Sequence, residues 1–329
     1  MKIVVTGALG HIGSALIRHQ PLILASHEIV LVDDLSTQRY ASVFNLPMGT
    51  SYSLRVSDVT DAVTPELLDG CDALVHLAAI TEAAASVDRP EWVFENNLRI
   101  TSHVAQVCRE TSTPLVMVSS TSVYTPLGND VDESSPAVDP TTPYAKCKLA
   151  EESVVRQEMG NGLTAIIFRF GTVFGTSPGM RFHTAVNKFC WQAALGQPIG
   201  VWETAMDQRR PYLALGDAVA AITRAVTASV FPGEVVNAVT CDATVRDVLG
   251  QIEANGIEMR VALVRSAAMT DTSFTTSIER ARGLGFTFSG SLAEGVRETL
   301  ALLEGLGFGG PIAAGPGRSR RRGDLPAEW

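Results

Sequence analysis

The sequence is short of the features that mark exported, membrane-spanning and metal-binding proteins. Its five cysteines are odd in number and scattered, and no two of them have the C-x-x-C spacing of a zinc or redox site. No run approaches the ~20 apolar residues of a membrane helix, and Met1 leads into an apolar run with no basic segment and no cleavage site. We expect a cytosolic protein that is neither exported nor inserted into a membrane, without a metal site or a disulfide framework.

Basic residues are also in deficit, since Lys and Arg number 26 against 35 Asp and Glu, for a formal net charge of −9. This balance gives no electrostatic reason to expect a nucleic acid or an anionic membrane as partner. With 46% hydrophobic and 19% charged residues, the chain has the composition of a globular protein. Its 329 residues allow one large core with an appended lobe, or two modest domains.

Short runs rich in Val, Ile and Leu recur through the first half of the chain, with helix-length segments between most of them. Near-continuous apolar strands that alternate with helices are typical of a parallel sheet covered on both faces. The pattern therefore predicts an α/β, doubly wound (Rossmann) domain. The runs lie at 3–5, 29–32, 73–77, 115–118 and 165–168.

The alternation of apolar strands and helices ends after Gly175, where a Gly/Pro stretch is followed by a helical run at 182–195. We therefore expect a first domain at 1–175, a smaller C-terminal lobe at 176–308, and a return of the chain to the first domain around 212–240, through a helix at 213–228 and a strand at 235–238. The end of the chain, 309–329, combines Gly/Pro punctuation with a basic cluster and shows no periodicity, which predicts a disordered tail.

A glycine-rich turn follows the first strand, with Gly7, Gly10 and Gly13 spaced G-x-x-G-x-x-G and His11 and Ile12 between the last two. Glycines let the backbone approach a pyrophosphate, which then lies against the N–H groups at the start of a helix. Glycines at such a turn are also common as turn chemistry alone. The turn predicts a dinucleotide site only together with its context.

That context is Asp33, which ends the second strand about 20 residues beyond Gly13, where a carboxylate accepts hydrogen bonds from the adenosine ribose. The same charge would repel a 2′-phosphate, so NAD is favoured over NADP. A solvated acid that caps a loop is the alternative for Asp33. The adjoining residues Asp34, Leu35 and Ser36 are further candidates for cofactor contact.

Two later strand ends extend the predicted cofactor site. Asp58 and Val59 follow a strand-like run at 52–56 and would flank the adenine, although Asp58 could equally be a turn former. His76 ends the fourth strand and is interpreted as a packed strand histidine rather than a ligand. The small residues after it would leave room for the cofactor, at Leu77, Ala78 and Ala79.

A candidate acid/base pair lies at Tyr144 and Lys148, four residues apart on a helix that Pro143 can start. An ammonium beside a phenol favours the phenolate, which would lower the tyrosine pKa from about 10 toward the working range. Tyr144 could then take the proton of a sugar hydroxyl while hydride leaves the same carbon. Upstream, the run at 119–122 offers hydroxyls at a strand end, although such a run is also plausible as a turn.

Taken in order, the glycine turn, Asp33, the Ser-Ser-x-x-Val-Tyr segment at 119–124 and Tyr-x-x-x-Lys resemble the extended short-chain dehydrogenase/reductase family. The chain is more narrowly similar to the NAD-dependent nucleotide-sugar epimerases and dehydratases over about 2–306. The resemblance implies that Ser120 is the catalytic hydroxyl, Tyr144 the base, and Lys148 the residue that holds the cofactor ribose. It also implies cofactor contacts from Asn97 and Val118, and a substrate contact from Thr81.

In the second lobe the resemblance implies contacts with the substrate nucleotide, and Arg210 would meet its diphosphate. Three departures from the family pattern leave the sugar and the base open: Thr172 where an asparagine is usual, Pro211 where an aspartate is usual, and Trp202-Glu203 where a glycine is usual. The other candidate substrate contacts are Asn187, Val201 and Arg265.

Related dehydratases carry an Asp-Glu pair directly after the catalytic hydroxyl, where this chain has Thr121 and Ser122. This favours epimerisation, at C4 through a 4-keto sugar. The alternatives are a 4-ketoreductase or dehydrogenase, a dehydratase and, from another class, a non-catalytic dinucleotide sensor. The resemblance further implies a homodimer formed through the helices that carry Asn97 and Tyr144.

Overall fold

The structure is a computed structural model that describes residues 1–19, 22, 27–81, 89–124, 130–135, 140, 142–264 and 273–304. Its strands are β1 (Lys2–Thr6), β2 (Glu28–Asp33), β3 (Ser51–Val56), β4 (Ala73–His76), β5 (Leu115–Ser120), β6 (Asp130–Val131), β7 (Ala165–Phe170), β8 (Thr172–Phe174), β9 (Ile199–Trp202), β10 (Arg210–Ala214), β11 (Val235–Ala238), β12 (Cys241–Ala243), β13 (Val261–Val264) and β14 (Thr275–Thr276). Its helices are α1 (His11–Leu16), α2 (Val59–Ala62), α3 (Pro65–Leu68), α4 (Pro90–Glu110), α5 (Pro143–Gly160), α6 (Ala185–Ala194), α7 (Leu215–Thr227), α8 (Val245–Ala254), α9 (Glu279–Gly283) and α10 (Leu292–Ala301).

Seven of the described strands form one parallel sheet in the order β11-β7-β5-β4-β1-β2-β3. The predicted α/β doubly wound fold is thereby confirmed. The chain runs outward from β1 through β2 to β3 and then returns to β4 on the other side of β1. Ligands of such sheets bind where the strand order reverses, at the carboxyl ends of the strands. That place is the gap after β1 and β4.

The central strands of the sheet are buried on both faces, which is why they are nearly continuous in apolar residues, whereas the edge strand β3 is mostly exposed. In β1, Ile3 and Val5 pack with α1 and α7 on one face, while Val4 packs with α4 and α5 on the other. A further apolar cluster joins α6, α8 and α10 to β9, outside the large sheet. Among the described residues, no helix is both long and apolar enough to cross a membrane.

The second half of the chain differs from the sequence expectation in its element bounds. A helix was expected from 213 to 228, but it begins at Leu215 because residues Arg210–Ala214 form β10, which pairs with β8 and β12. The run at 235–238 forms β11, which pairs with β7 at one edge of the large sheet. The limits of the two lobes stay a prediction, and the tail at 309–329 lies outside the described residues.

Candidate active site

The glycine turn after β1 is packed so closely that side chains do not fit. Gly7 has a φ of +62°, and a Cβ on it would lie 2.6 Å from the backbone nitrogen of Ala78. A Cβ on Gly13 would lie 2.5 Å from the carbonyl oxygen of Ala8. Close backbone contacts therefore require glycine at both positions, and the turn leads into the N–H groups at the start of α1, where backbone N–H groups can receive an anion. This cradle, which holds Gly10, His11 and Ile12, fits the pyrophosphate of a dinucleotide.

Asp33 ties the glycine turn to the end of β2. Its Oδ2 accepts a hydrogen bond from the backbone N–H of Leu9 at 3.0 Å, and its Oδ1 accepts one from the N–H of Leu35 at 3.0 Å. Each carboxylate oxygen has a second lone pair, so both can also accept from a ribose hydroxyl. Asp34 is exposed and holds the N–H and hydroxyl of Ser36.

A segment that sequence reasoning missed crosses over the glycine turn. The Ser177 hydroxyl donates to the carbonyl of His11 at 2.9 Å and lies 2.9 Å from its Nδ1, and the N–H of Gly179 donates to Ser14 Oγ at 2.9 Å. Burial lowers the pKa of His11 to about 4, with further contributions from His183 and Arg39, so His11 is neutral at physiological pH. No local signal could reveal these contacts, because they join positions about 165 residues apart.

Asp58 caps α2 by accepting from the N–H of Thr60 at 2.8 Å, and its two oxygens also hold the guanidinium of Arg99 at 2.8 and 3.2 Å. Hydrogen bonds from Arg99 are the main cause of a lowered Asp58 pKa. The carboxylate is therefore both a helix cap and half of an ion pair. Its contact with an adenine stays a prediction, as does that of Val59, whose side chain is buried in the core.

Asn97 lies buried on α4, and its amide braces the loop after β4. Its Oδ1 accepts from the N–H of Ile80 at 2.9 Å, and its Nδ2 donates to the carbonyl of Ile80 at 3.0 Å. His76 is buried between the hydroxyls of Thr6 and Thr101, as expected of a packed strand histidine. Beyond the braced loop, Thr81 is exposed. The partly exposed residues of this strand end are Leu77, Ala78 and Ala79.

The structure brings the three predicted catalytic residues together at the carboxyl edge of the sheet. Ser120 is the last residue of β5, and its side chain lies near the phenol of Tyr144, on the first turn of α5, and lowers the pKa of that phenol. Thr142 caps that helix by accepting from the N–H of Ala145, and Pro143 is its first residue, as the sequence predicts. Lys148 follows one turn later, with Nζ 6.0 Å from the centre of the Tyr144 ring and 3.4 Å from the carbonyl of Val118.

The pKa of Tyr144 differs from the sequence expectation. Burial raises the pKa of the phenol, Lys148 and the Ser120 side chain lower it, and the carboxylate of Glu151 raises it again, so the net direction is upward. Lys148 acts in the expected sense, but it is outweighed. The expectation left out burial, and it left out Glu151, which lies three residues after Lys148 and is buried with it.

A buried ion pair supports the strand that carries Ser120. The guanidinium of Arg169 on β7 donates to Glu152 at 2.9 and 2.7 Å, and the hydroxyl of Ser119 donates to the same carboxylate at 2.6 Å. Because side chains alternate along a strand, Ser119 points into this network while Ser120 points to the site. Tyr124, which belongs to the same sequence motif, donates to Asn237 in the core and is not part of the site.

Arg210 begins β10 and is partly buried, with a pKa that burial lowers. Its guanidinium donates to the Gln208 amide at 3.1 Å and lies 5.7 Å from the centre of the Phe274 ring. Among the described residues, no carboxylate forms an ion pair with it. The positive charge is thus available to an anionic ligand such as a diphosphate.

The other predicted substrate residues have mixed placements. Thr172 is partly exposed at the start of β8, whereas the side chain of Val201 is buried in the apolar cluster around α6. Asn187 is buried, and its amide both accepts from the N–H of Gly175 at 3.2 Å and donates to its carbonyl at 2.8 Å. Asn187 thus braces the end of β8, and its contact with substrate stays a prediction. Arg265 lies outside the described residues.

Comparisons with known proteins agree with this geometry. The uncharacterized UDP-glucose epimerase YtcB of Bacillus subtilis (strain 168) is 28% identical over 247 residues, which cover 72% of this chain and 76% of that protein. A UDP-glucose 4-epimerase of Streptomyces lividans is 31% identical over 186 residues, 55% of this chain and 54% of its own length. The solved structure of MoeE5 with UDP-glucuronic acid and NAD superposes with a TM-score of 0.78 at 25% identity, over 92% of this chain and 98% of that one.

The sequence profile of the NAD dependent epimerase/dehydratase family matches residues 3–238, from the first buried residue of β1 to the last residue of β11. The matched span holds the glycine turn, Asp33 and all three catalytic candidates, which the structure gathers at one edge of the sheet. On these grounds the chain belongs to the NAD-dependent epimerase/dehydratase family.

Proposed function

We propose that the chain is an NAD-dependent epimerase that inverts C4 of a UDP-sugar through a transient 4-keto intermediate. The observation that carries this proposal is the meeting of Ser120, Tyr144 and Lys148 at the carboxyl edge of the sheet, next to the glycine turn. The names of its relatives, UDP-glucose epimerases of two bacteria, support the same substrate class.

Within the site, Tyr144 is the residue placed to move a proton. The phenolate takes the proton of the sugar O4, and the Ser120 hydroxyl hydrogen-bonds the same oxygen and orients it. Bound NAD supplies a reversible hydride acceptor for the C4 hydrogen. After the keto sugar has turned over, Tyr144 returns the proton to O4. No net oxidant is consumed, so Lys148 and Tyr144 end each turnover in the state in which they began.

Elimination of water is disfavoured by the two residues that follow Ser120. The hydroxyl of Thr121 is buried and donates to the carbonyl of Phe170 at 3.2 Å, and Ser122 is exposed. Neither position offers a carboxyl group that could act as an extra acid or base. The proposal therefore assigns isomerisation without net dehydration, and Arg210 is assigned to the diphosphate of the substrate.

We also infer that the enzyme acts in the cytosol as a homodimer that associates through α4 and α5. These two helices pack against each other on one face of the sheet, and α4 carries an exposed Trp92 on its first turn. All five cysteines are free, which suits a reducing compartment. Sedimentation of the purified chain should give twice the monomer mass, and a Trp92→Glu variant should sediment as a monomer.

The function is tested by incubating the purified protein with UDP- and dTDP-sugars and following their anomeric signals by NMR. We expect interconversion of one C4 epimer pair without accumulation of NADH, and none with the Tyr144→Phe variant. Stoichiometric NADH formation or consumption would replace the proposal with a dehydrogenase or reductase. Absence of stereochemical exchange across the whole panel would refute it.

A further inference from the structure

Lys148 already has a carboxylate partner in the structure. Its ammonium donates to Glu151 Oε2 at 2.7 Å, and the two side chains are only 5% and 2% exposed. The other oxygen of Glu151 accepts from the thiol of Cys147 at 3.3 Å. Both carboxylate oxygens of Glu151 are therefore directed at Cys147 and Lys148, which are buried on the same side of α5.

The neighbouring Glu152 has different partners, so the two glutamates do not stabilise the same part of the structure. Glu152 holds Arg169 and Ser119, whereas the partners of Glu151 are the catalytic lysine and a thiol. Burying two charges costs several kcal/mol per ion even when they are paired. The pair of Lys148 and Glu151 bears this cost, as the pair of Arg169 and Glu152 does, so it is the partners of Glu151 that distinguish its role.

Few other charges face this pair from the elements packed around it. From β4 comes His76, which is buried and uncharged, with a pKa of about 3 that burial and Lys148 both lower. From β5 comes the neutral hydroxyl of Ser120, and from α4 the amide of Asn97, which reaches Cys147. Among the described residues, the charges that act on the phenol of Tyr144 are therefore mainly those of Lys148 and Glu151, which are opposite in sign.

We propose that Glu151 is a positioning residue that neutralises Lys148 in the cofactor-free enzyme and so keeps Tyr144 a neutral phenol until NAD is bound. The proposal rests on the proposed function in assigning Tyr144 as the base. The structure gives the direction of each influence, since Lys148 lowers the pKa of the phenol and Glu151 raises it. Burial lowers the pKa of Lys148, but Glu151, together with Tyr144 and Cys147, outweighs burial and raises it, so the ammonium stays charged in the pair.

The consequence is that the base becomes active only in the loaded enzyme. A phenolate left beside an unpaired ammonium in the empty pocket would bind other acids or cations, whereas a neutral phenol does not. Binding of NAD adds a positive pyridinium charge and ribose hydroxyls to the pocket. Lys148 can then share its donors between Glu151 and the ribose, because an ammonium has three N–H groups.

The test is a spectrophotometric titration of tyrosinate in the cofactor-free protein. The chain has five tyrosines, so the step that belongs to Tyr144 is obtained by subtracting the titration of a matched Tyr144→Phe protein. Glu151→Gln removes the negative charge but keeps the size of the side chain. We expect the Tyr144 step to move to lower pH by about one unit, in the range that one nearby charge produces, and Glu151→Asp to restore the original step.

The matched control is Glu158→Gln, another ion-paired glutamate on α5, which lies about 10 Å beyond Glu151 and about 21 Å beyond Tyr144 along the helix. It should leave the Tyr144 step unchanged. In the wild-type protein, which needs no variant to fold, addition of NAD should move the same step to lower pH. An unshifted or upward-shifted step in Glu151→Gln would overturn the proposal, as would identical titrations of the wild type with and without NAD. Because no substrate or turnover is involved, these outcomes are separate from success or failure of the epimerase assay.

Discussion

Replacing Gly7 by alanine tests why glycine is required at this position. Either no Cβ fits against the neighbouring backbone, or only the positive φ demands glycine. Gly7 has a φ of +62° and Gly70, in the turn after α3, has a φ of +65°. A Cβ at Gly7 would meet the backbone of Leu77 and Ala78 at 2.6 to 2.7 Å, whereas nothing lies within 4 Å of one at Gly70. Gly70→Ala is therefore a matched control with the same conformational strain and no clash.

The magnitudes follow from these two differences. An alanine in the left-handed region costs about 1–2 kcal/mol at either site, and reduced freedom of the unfolded chain returns about 0.4–1 kcal/mol at both. Forcing an extra carbon against backbone adds about 1–3 kcal/mol at Gly7 alone. We expect Gly7→Ala to lower the free energy of unfolding by about 1–3 kcal/mol more than Gly70→Ala does.

Guanidinium unfolding of the two variants measures this difference, and calorimetric titration with NAD measures the effect on the site. Gly7→Ala should weaken NAD binding, because relief of the clash moves the turn away from the end of β4, and Gly70→Ala should leave it unchanged. Equal destabilisation of the two variants, or unchanged NAD affinity in Gly7→Ala, would refute the argument that close backbone approach shapes the cradle.

Three further predictions follow from the buried polar groups. Glu152→Gln leaves the buried Arg169 guanidinium without a counter-charge and should lower the free energy of chemical unfolding by about 3–5 kcal/mol. Its control, Arg156→Ala, removes an exposed cation 3.7 Å from the same carboxylate and should lower it by at most about 1 kcal/mol. Similar losses in the two variants would contradict the role of the buried pair. Tyr144→Phe should reduce kcat in the NMR epimerase assay at least about 100-fold, and a smaller loss would show that another group moves the proton. The pKa of His76 in the folded protein is about 3, below its ordinary 6.5. Its contribution to stability is therefore complete above pH 6.5 and is lost as the pH falls toward 3, at up to about 1.4 kcal/mol per pH unit. Urea unfolding at a series of pH values should show a shallower loss of stability at low pH in His76→Gln than in the wild type, and parallel curves would exclude this histidine as the source.

The sequence predicts the parts of the site that depend on local pattern. The apolar runs predict the strands of the parallel sheet, and the residues that end them, Asp33 and Ser120, therefore lie at one edge. The start of α5 follows from Thr142 and Pro143, and the four-residue spacing then places Tyr144 and Lys148 on one side of the helix. Each of these inferences needs only a few neighbouring positions, so a single sequence suffices.

The remaining features depend on contacts between distant parts of the chain. The spacing of Lys148 and Glu151 suits an ion pair on any helix, but the apolar and polar residues of α5 are not clearly segregated, so the pattern does not show that this side is buried. The upward direction of the Tyr144 pKa was missed for the same reason. Nor could the sequence reveal that Ser177 lies on the glycine turn, or that the amide of Asn187 is hydrogen-bonded to the backbone of Gly175.

The alternation of Ser119 and Ser120 has a consequence for how the enzyme tolerates change. One peptide unit separates the hydroxyl of Ser119, which is anchored in the interior, from the predicted catalytic hydroxyl of Ser120. A substitution that removes the hydrogen bond of Ser119 would let the neighbouring Ser120 hydroxyl shift from its position without removing it. Variants on the inner side of β5 should accordingly have a lower kcat while still binding NAD and the sugar nucleotide. Natural selection on the reaction rate therefore also acts on buried residues of the core.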